Sequence, residues 1–349
     1  MTWLRILAGV LAAMSLAAGL MAAEKAEKAN ATEQPLDRVM GDYVGTYTPA
    51  GGAETKAEAK VIAEGAGNYF VVLLPATSGA AAARIEVKGK GDAKKVALAG
   101  KVGDAEWTGA IEDGKLAAQS KDGKFDLKAT LRKSPTEGAK PPAGAIVLIP
   151  FTEGKPPSMD EWTNPAWQPQ ADGSVLAVKG DNRTKRQFGD MQLHLEFRIP
   201  FEPGGKGQGR GNSGVYIQDL YEIQILDSYG LVSKAGDCGA VYTQTPPKEN
   251  ACLPPGSWQT YDITFRAPRF DADGKKVKDA TVTVIQNGVK IHDEQKISGP
   301  TGAAKGKPEV KKAVLRLQEH GHAVRLRNVW LFEVMARSDV ELGEGAEAK

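Results

Sequence analysis

Residues 212–229 read NSGVYIQDLYEIQILDSY, and the alternation in this stretch decides the fold class. The apolar side chains of its second half are Tyr221, Ile223 and Ile225, and between them lie Glu222 and Gln224. Successive side chains of a β-strand point to opposite sides of a sheet, so the stretch predicts two half-buried strands. The polar face carries Tyr, Glu and Gln instead of the usual Lys, Thr and Ser. That face is either solvated or holds a ligand.

Similar short alternating segments, separated by Gly, Asp and Asn turns, recur along most of the chain. Asn287-Gly288 lies between two of them and predicts a type I′ hairpin. No segment has sustained helical periodicity. We therefore predict an all-β protein with a small all-β module at residues 39–133, a Pro-, Gly- and Ser-rich linker at 134–144, and a two-sheet jelly-roll sandwich at 145–338.

The two ends of the chain have different compositions from the rest. Residues 1–23 contain one charge, Arg5, and an apolar core that ends in small residues, so they predict a secretory signal peptide. The alternative is an uncleaved membrane anchor, although the apolar run is short and rich in Ala and Gly. We expect a periplasmic or extracellular protein with no membrane contact after cleavage. Residues 24–38 predict a disordered lead, and residues 339–349 an acidic tail.

Charge and cysteine content limit the classes of partner. The 349 residues include 45 Lys and Arg against 43 Asp and Glu, which does not indicate a nucleic-acid partner. Cys238 and Cys252 are the only cysteines. In an exported protein they predict a disulfide, and the alternative is two free thiols. Two cysteines without nearby histidines do not make a zinc site.

Polar faces recur on four other predicted strands. Their members are Gln192, His194, Glu196 and Arg198; Arg316, Gln318 and His320; Arg325 and Arg327; and Asp262. One such face is ordinarily solvated. The recurrence of short hydrogen-bonding side chains predicts a concave face that binds a carbohydrate.

The histidines and one aspartate add candidate chemistry. His320 follows Gln318 on the same face, and a histidine is a natural proton carrier near neutral pH. His322 is either a loop residue or, with Asp227, a candidate ligand of a divalent metal. Asp227 is also a possible turn former or base. His292 is expected at the surface, and His194 is open.

Several catalytic classes are not indicated. The chain has no Gly-x-Ser-x-Gly or His-Glu-x-x-His motif. The residue two positions after Glu222 is Gln224 and not a second acid, so double-displacement glycoside hydrolysis is not supported.

About residues 145–336 resemble the 3-keto-disaccharide hydrolase family. The resemblance is carried by eight ordered blocks: Trp162–Leu176, Phe188–Arg198, Asn212–Tyr216, Tyr221–Ser228, Cys238–Tyr242, Pro254–Ile263, Asn287–Val289 and Leu317–Trp330. The family often has Phe-Arg-Asn where this chain has Leu326-Arg327-Asn328. The resemblance implies a concanavalin-like jelly roll with a concave sheet. It also implies cleavage of 3-keto-glycosides by proton abstraction at C2, elimination at C1 and hydration.

The resemblance also implies roles for single residues. Glu222 and His320 would serve as base and acid, in either order. Arg327, Arg325 or a bound divalent metal would polarise the C3 carbonyl. Residues that would hold substrate hydroxyls are Asn212, Tyr216, Gln224, Tyr242 and Gln318, and Trp258 is either a sugar platform or a core residue. The alternatives to this enzyme are a non-catalytic lectin that uses the same face and a structural envelope protein.

Overall fold

The computed structural model describes residues 36–76 and 84–334. The predicted signal peptide, the acidic tail and the predicted lead up to residue 35 lie outside the described residues. The described chain is built from antiparallel strands, with two short 3-10 turns at Gly207–Gly209 and Gly302–Ala304. The prediction of an all-β fold is confirmed. Among the described residues, no helix is long and apolar enough to cross a bilayer.

The first eight strands form a closed barrel, because β1 pairs with both β2 and β8. They are β1 (Gly41–Pro49), β2 (Thr55–Gly65), β3 (Asn68–Pro75), β4 (Ile85–Gly91), β5 (Lys95–Val102), β6 (Ala105–Glu112), β7 (Lys115–Ser120) and β8 (Gly123–Thr130). Alternate side chains, among them Trp107, Phe125 and Leu127, fill the interior. Alternation with a period of two therefore produces a barrel with a packed core.

The remaining strands form a sandwich of two main sheets and a small hairpin, β17 (Arg269–Phe270) with β18 (Lys276–Lys278). The large, eight-stranded sheet contains β9 (Ile146–Ile149), β10 (Gln168–Pro169), β11 (Val175–Leu176), β13 (Met191–Arg198), β16 (Trp258–Arg266), β19 (Ala280–Gln286), β20 (Val289–Ile297) and β22 (Arg325–Glu333). The small, four-stranded sheet contains β12 (Asn182–Phe188), β21 (Ala313–Leu317), β14 (Ser213–Ile217) and β15 (Tyr221–Ile225), in that spatial order. The jelly-roll prediction is confirmed.

The core lies between the two sheets of the sandwich. Tyr221 of the small sheet packs against Phe265 of the large sheet, with ring centroids 5.6 Å apart. The Tyr261 hydroxyl of the large sheet donates to the Gln224 carbonyl of the small sheet at 2.6 Å. The predicted hairpin at Asn287-Gly288 joins β19 to β20, and both residues have positive φ, at 52° and 82°.

The barrel packs on the sandwich through its outer surface. Ile62 and Val72 point out of the barrel and belong to the sandwich core. The Asp42 carboxylate accepts hydrogen bonds from Lys60, at 2.6 Å, and from the Tyr229 hydroxyl of the sandwich, at 2.9 Å. Apolar packing and a buried carboxylate therefore hold the two parts together.

Cys238 and Cys252 are buried thiols, and the disulfide between them stays a prediction. The two side chains are hydrogen-bonded to each other, and each sulfur also has further polar neighbours. The Cys238 sulfur contacts the Tyr261 hydroxyl and the Gln286 amide, both at 3.3 Å, and the Cys252 sulfur contacts the Leu253 carbonyl at 3.4 Å.

Candidate active site

The candidate site is the outer face of the small sheet, which we call the Glu222 face and define by Asn212, Tyr216, Glu222, Gln224, Arg316 and Gln318. The strand register places these residues in rows. Tyr216 of β14 is opposite Glu222 of β15 on one side and Arg316 of β21 on the other. In the next row, Gly214 is opposite Gln224, and its carbonyl accepts a hydrogen bond from the Gln318 backbone N–H. Side chains of one row are direct cross-strand neighbours.

The Glu222 face is buried, which alternation in the sequence does not show. The chain around residues 239–242 lies along the edge of β15, where Tyr242 N–H donates to the Glu222 carbonyl at 3.0 Å. At the same edge of β15, Glu222 N–H donates to the Thr301 hydroxyl at 2.8 Å. Only 2% of Glu222 is exposed. The Tyr242 segment and the turn at Thr301 therefore cover the carboxylate.

Burial changes the protonation of Glu222. It raises the pKa of the carboxyl to about 7, while a hydrogen bond from Tyr216 and the charge of Arg316 partly oppose the increase. Oε2 of Glu222 is buried and has no hydrogen-bond partner among the described residues. A carboxyl group that titrates near neutral pH and keeps one oxygen unpaired can take up and release a proton.

Arg316 packs against the ring of its cross-strand neighbour Tyr216. Its guanidinium carbon lies 3.4 Å from the centroid of the Tyr216 ring. Asp181 holds the guanidinium through Nη1 at 2.6 Å, and Asp219 contacts Nε. Burial raises the pKa of Tyr216, so its hydroxyl stays protonated and can donate a hydrogen bond. The row therefore combines a titratable carboxyl group, a neutral donor and a fixed positive charge.

The amide side chains of the Glu222 face leave acceptors unused. Asn212 donates through Nδ2 to Gln208, whose side-chain oxygen also accepts from Nε2 of Gln224 at 3.0 Å. Nε2 of Gln318 lies 3.5 Å from the Tyr216 hydroxyl. Oδ1 of Asn212 and Oε1 of Gln318 are buried and have no partner among the described residues. Buried polar atoms are normally paired, so these oxygens indicate a ligand that donates hydrogen bonds, as sugar hydroxyls do.

The two predicted histidines lie at the end of this face. His320 is exposed and follows the end of β21, and its ring stacks against that of His322 at 6.3 Å between centroids. Nδ1 of His322 lies 2.6 Å from a carboxylate oxygen of Glu202. His320 is therefore open to solvent, in contrast to the buried Glu222.

Arg325, Arg327 and Trp258 lie on the opposite side of the sandwich, on the outer face of the large sheet. Nε of Arg327 contacts the buried Glu196 carboxylate at 2.7 Å. Arg325 pairs with Asp172 at 3.3 Å. Because the core lies between the two outer faces, the structure does not bring these residues to Glu222. Arg316 is the cation that lies in the Glu222 row.

The residues considered as metal ligands are bound to other side chains. Asp227 accepts a hydrogen bond from Nε of Arg210 at 2.5 Å, and His322 pairs with Glu202. Within residues 36–76 and 84–334, no group of three or more His, Cys, Asp or Glu side chains could hold a metal ion. These residues do not fit a divalent metal centre, and no step is assigned to one.

Sequence reasoning overlooked three residues that shape the face. Gln208 fixes both amides, Asp181 fixes Arg316, and Thr301 binds the Glu222 backbone. Gln208 lies in the Gly-rich loop just before Asn212, which is the one local signal for its role. Asp181 and Thr301 are distant in sequence from the strands that they contact and carry no such signal.

Comparison with known proteins identifies a family and similar solved structures. The sequence model of the family described as 3-keto-alpha-glucoside-1,2-lyase-like domain matches residues 144–332. Two crystal structures of candidate glycosyl hydrolases from Parabacteroides distasonis ATCC 8503 are similar. The first is 38% identical with a TM-score of 0.49, over 55% of this chain and 85% of that chain. The second is 20% identical with a TM-score of 0.38, over 50% of this chain and 89% of that chain. No curated protein matches the chain.

Proposed function

The chain belongs to the 3-keto-alpha-glucoside-1,2-lyase-like domain family and is a carbohydrate-active enzyme, and we propose that it cleaves 3-keto-glycosides by elimination and hydration at the Glu222 face. The observation that carries the proposal is the Glu222 carboxyl group, which is buried beside Tyr216, has a pKa raised to about 7 and keeps Oε2 unpaired. A ketone at C3 acidifies the hydrogen at C2, so one base poised near neutral pH is sufficient to remove it.

The first step is proton abstraction. Glu222 takes the C2 proton, and the electron pair moves onto the C3 oxygen as an enolate. Tyr216 is the direct cross-strand neighbour of Glu222 and carries a protonated hydroxyl, so it donates to this oxygen. Arg316 lies against the Tyr216 ring and adds a positive charge where negative charge develops.

Elimination and hydration follow. The enolate re-forms the C3 carbonyl and expels the C1 aglycone, whose oxygen takes a proton from His320. His320 suits this role because it is exposed at the open end of the face, where an aglycone of variable size can extend into solvent. Elimination leaves a C1–C2 double bond, and the proton on Glu222 exchanges with solvent when the aglycone departs. Water then adds to C1 and loses a proton to His320, while C2 takes a solvent-derived proton from Glu222. The glycosidic bond is broken with no net change in oxidation state.

Substrate binding uses the unpaired oxygens. Oδ1 of Asn212 and Oε1 of Gln318 accept hydrogen bonds from ring hydroxyls, and Tyr242 closes the site from the edge of β15. Because Tyr242 and the Thr301 turn cover Glu222, substrate reaches the carboxylate when this cover opens. A site that closes over the sugar excludes water during elimination.

The test is incubation of the purified protein with 3-keto-trehalose and with simple 3-keto-glucosides, with products identified by mass spectrometry. We expect free 3-keto-glucose or its C1–C2 dehydrated derivative. Glu222→Gln should abolish product formation, and His320→Ala should slow it most for aglycones that are poor leaving groups. The exposed Glu294 is the matched control, and Glu294→Gln should retain full turnover. Saturable sugar binding without product would instead indicate a lectin.

Export remains part of the proposal, because residues 1–23 lie outside the described residues. It is supported by the apolar run that follows Arg5. Mass spectrometry of the protein recovered from the periplasm or medium should give a mature N-terminus at Ala23 or Glu24. A full-length chain retained in the cytoplasm would contradict export.

A further inference from the structure

A cleft with a volume of about 730 Å³ opens on the outer face of the large sheet, opposite the Glu222 face. One wall is the segment that joins the barrel to the sandwich, and the floor consists of side chains of β13, β16 and β22. The segment is fixed to the sheet, because Gly138 N–H donates to the Glu196 carboxylate at 2.6 Å and Thr136 donates to Asp262 at 2.8 Å. The predicted linker is therefore an ordered wall of this cleft.

The floor of the cleft is a stack of guanidinium groups and aromatic rings. The guanidinium carbon of Arg327 lies 4.0 Å from the Trp258 ring centroid and 4.3 Å from that of Phe151. The Arg198 guanidinium lies 5.2 Å from the same Trp258 ring. Aromatic packing on a guanidinium plane holds it in one orientation and leaves its edge free to donate hydrogen bonds. The stack therefore presents donors in fixed positions.

Arg327 keeps one donor group for a ligand. Its Nε donates to Glu196 at 2.7 Å and its Nη2 donates to Glu137 at 3.0 Å. Within the described part of the chain, Nη1 makes no hydrogen bond. Glu153 is an exposed acceptor in the cleft and has no ion-pair partner among the described residues. The cleft thus offers both donors and acceptors.

The charges of the cleft cancel. Its cations are Lys133, Arg198 and Arg327, and its acids are Glu137, Glu153 and Asp172. Asp172 lies 3.9 Å from Arg198, and Glu137 lies 3.0 Å from Arg327. Much of the charge is therefore already paired between residues that line the cleft. A ligand with a net charge gains little from a neutral site. A neutral molecule rich in hydroxyl groups can use the donors and the acceptors together.

We propose that this cleft is a second carbohydrate-binding site, which takes a neutral oligosaccharide and is separate from the Glu222 face. The sandwich core between the two faces keeps their ligands apart. A saccharide in the cleft contacts the wall at Lys133 and Gly138 and the floor at Arg198 and Arg327, so it also links the joining segment to the sheet. The site holds a glycan to the enzyme independently of the reaction at Glu222.

The experiment uses the full mature chain carrying Glu222→Gln, so that binding is measured without turnover. Calorimetric titrations with cellotetraose and maltotetraose test neutral ligands, and trigalacturonate tests an acidic one. We expect saturable binding of at least one neutral tetrasaccharide. Glu153→Ala and Lys133→Ala should each weaken it about tenfold, since both side chains are exposed and can be removed without disturbing the fold. Lys155→Ala, an exposed residue outside the cleft lining, should bind as the parent does.

Nuclear magnetic resonance gives a second measurement of binding, which does not depend on the heat of binding that calorimetry measures. The indole N–H signal of Trp258, identified by its loss in Trp258→Phe, should shift on addition of the same tetrasaccharide. The proposal is overturned if no neutral tetrasaccharide binds at millimolar concentration. It is also overturned if trigalacturonate alone binds, or if Glu153→Ala and Lys133→Ala bind as tightly as the parent. The probes are not oxidised sugars, so failure of this proposal is distinct from failure of the proposed reaction.

Discussion

The side chain of Glu222 lies over Gly214 on the adjacent strand, in space that any other residue at position 214 would fill. A Cβ on Gly214 would overlap Oε1 of Glu222, and it would also come within 3.2 Å of the carboxyl carbon. The glycine has ordinary strand geometry, so its role is to provide space and not an unusual backbone conformation. The carboxylate of the proposed base can therefore occupy its position because residue 214 has no side chain.

Gly214→Ala should therefore reduce activity without unfolding the protein. The methyl group displaces the far end of a flexible side chain, so the carboxylate moves and the strand does not. A base misplaced by about 1 Å costs on the order of 10²-fold in rate, and we expect a loss of about that size in kcat/KM on a 3-keto-glucoside. The melting temperature should change little.

Gly204→Ala is the matched control for this substitution, because a Cβ at Gly204 meets no atom within 4 Å. It should retain both activity and stability. If Gly214→Ala were as active as the parent, the carboxylate would not need its present position, and Glu222 would not be the base.

Glu222→Gln should stabilise the protein in alkaline solution. Burial raises the pKa of Glu222 from its ordinary value of 4.5 to about 7, so the folded state holds a proton that the unfolded state has lost between these pH values. Stability from this group is fully present below pH 4.5 and is lost as the pH rises through about 7. The shift corresponds to a penalty of about 3 kcal/mol above pH 7.

Urea unfolding at pH 4 and pH 8 measures this effect. Relative to the parent, the free energy of unfolding of Glu222→Gln should be higher at pH 8 than at pH 4, by up to about 3 kcal/mol. For Glu294→Gln, the difference in unfolding free energy from the parent should be the same at pH 4 and pH 8, since Glu294 is exposed. An equal difference at both pH values would mean that burial does not raise the pKa of Glu222.

Gln318→Ala should weaken substrate binding more than it slows the reaction. Its Oε1 is a buried oxygen with no partner among the described residues, and we propose that it accepts a substrate hydroxyl group. Loss of one such hydrogen bond costs about 1 kcal/mol, so KM should increase about fivefold with a smaller change in kcat. Gln192, an exposed glutamine of the large sheet, provides the control Gln192→Ala. A loss confined to kcat would contradict a role in binding.

Arg327→Met should destabilise the fold. Its Nε is paired with the carboxylate of Glu196, which is fully buried, and its removal takes the guanidinium charge from a carboxylate that keeps hydrogen bonds from Gly138 and Asn328. Loss of one partner of a buried ion pair typically costs about 3–5 kcal/mol. Glu196→Gln should have a comparable effect, and the double variant should be more stable than the sum of the two losses predicts. Additive losses in denaturant unfolding would show that the pair is not coupled.

Alternation was sufficient to predict the strands and their core faces. Ile223 and Ile225 are fully buried, as their spacing indicates, and the Asn287-Gly288 hairpin forms where its backbone preferences place it. These features depend on a period of two and on local backbone geometry, which are both properties of a single segment. The fold class follows from many such segments in succession.

Alternation was not sufficient to assemble the site. It shows that Glu222 and Arg327 point away from the core, but the sandwich has two outer faces, and the pattern does not say which strand belongs to which sheet. The structure places the two residues on opposite faces. Burial of Glu222 was equally hidden, because the covering Tyr242 segment and Thr301 come from elsewhere in the chain.

The most direct test of proton transfer by Glu222 is the position of deuterium in the product formed in D₂O. Elimination and hydration return a solvent-derived proton to C2, so 3-keto-glucose released by the enzyme should carry deuterium at C2, as measured by mass spectrometry and nuclear magnetic resonance. Authentic 3-keto-glucose, incubated for the same time without enzyme, corrects for spontaneous exchange. Product that retains the original C2 hydrogen would contradict proton exchange at C2 through Glu222 and would favour direct displacement at C1.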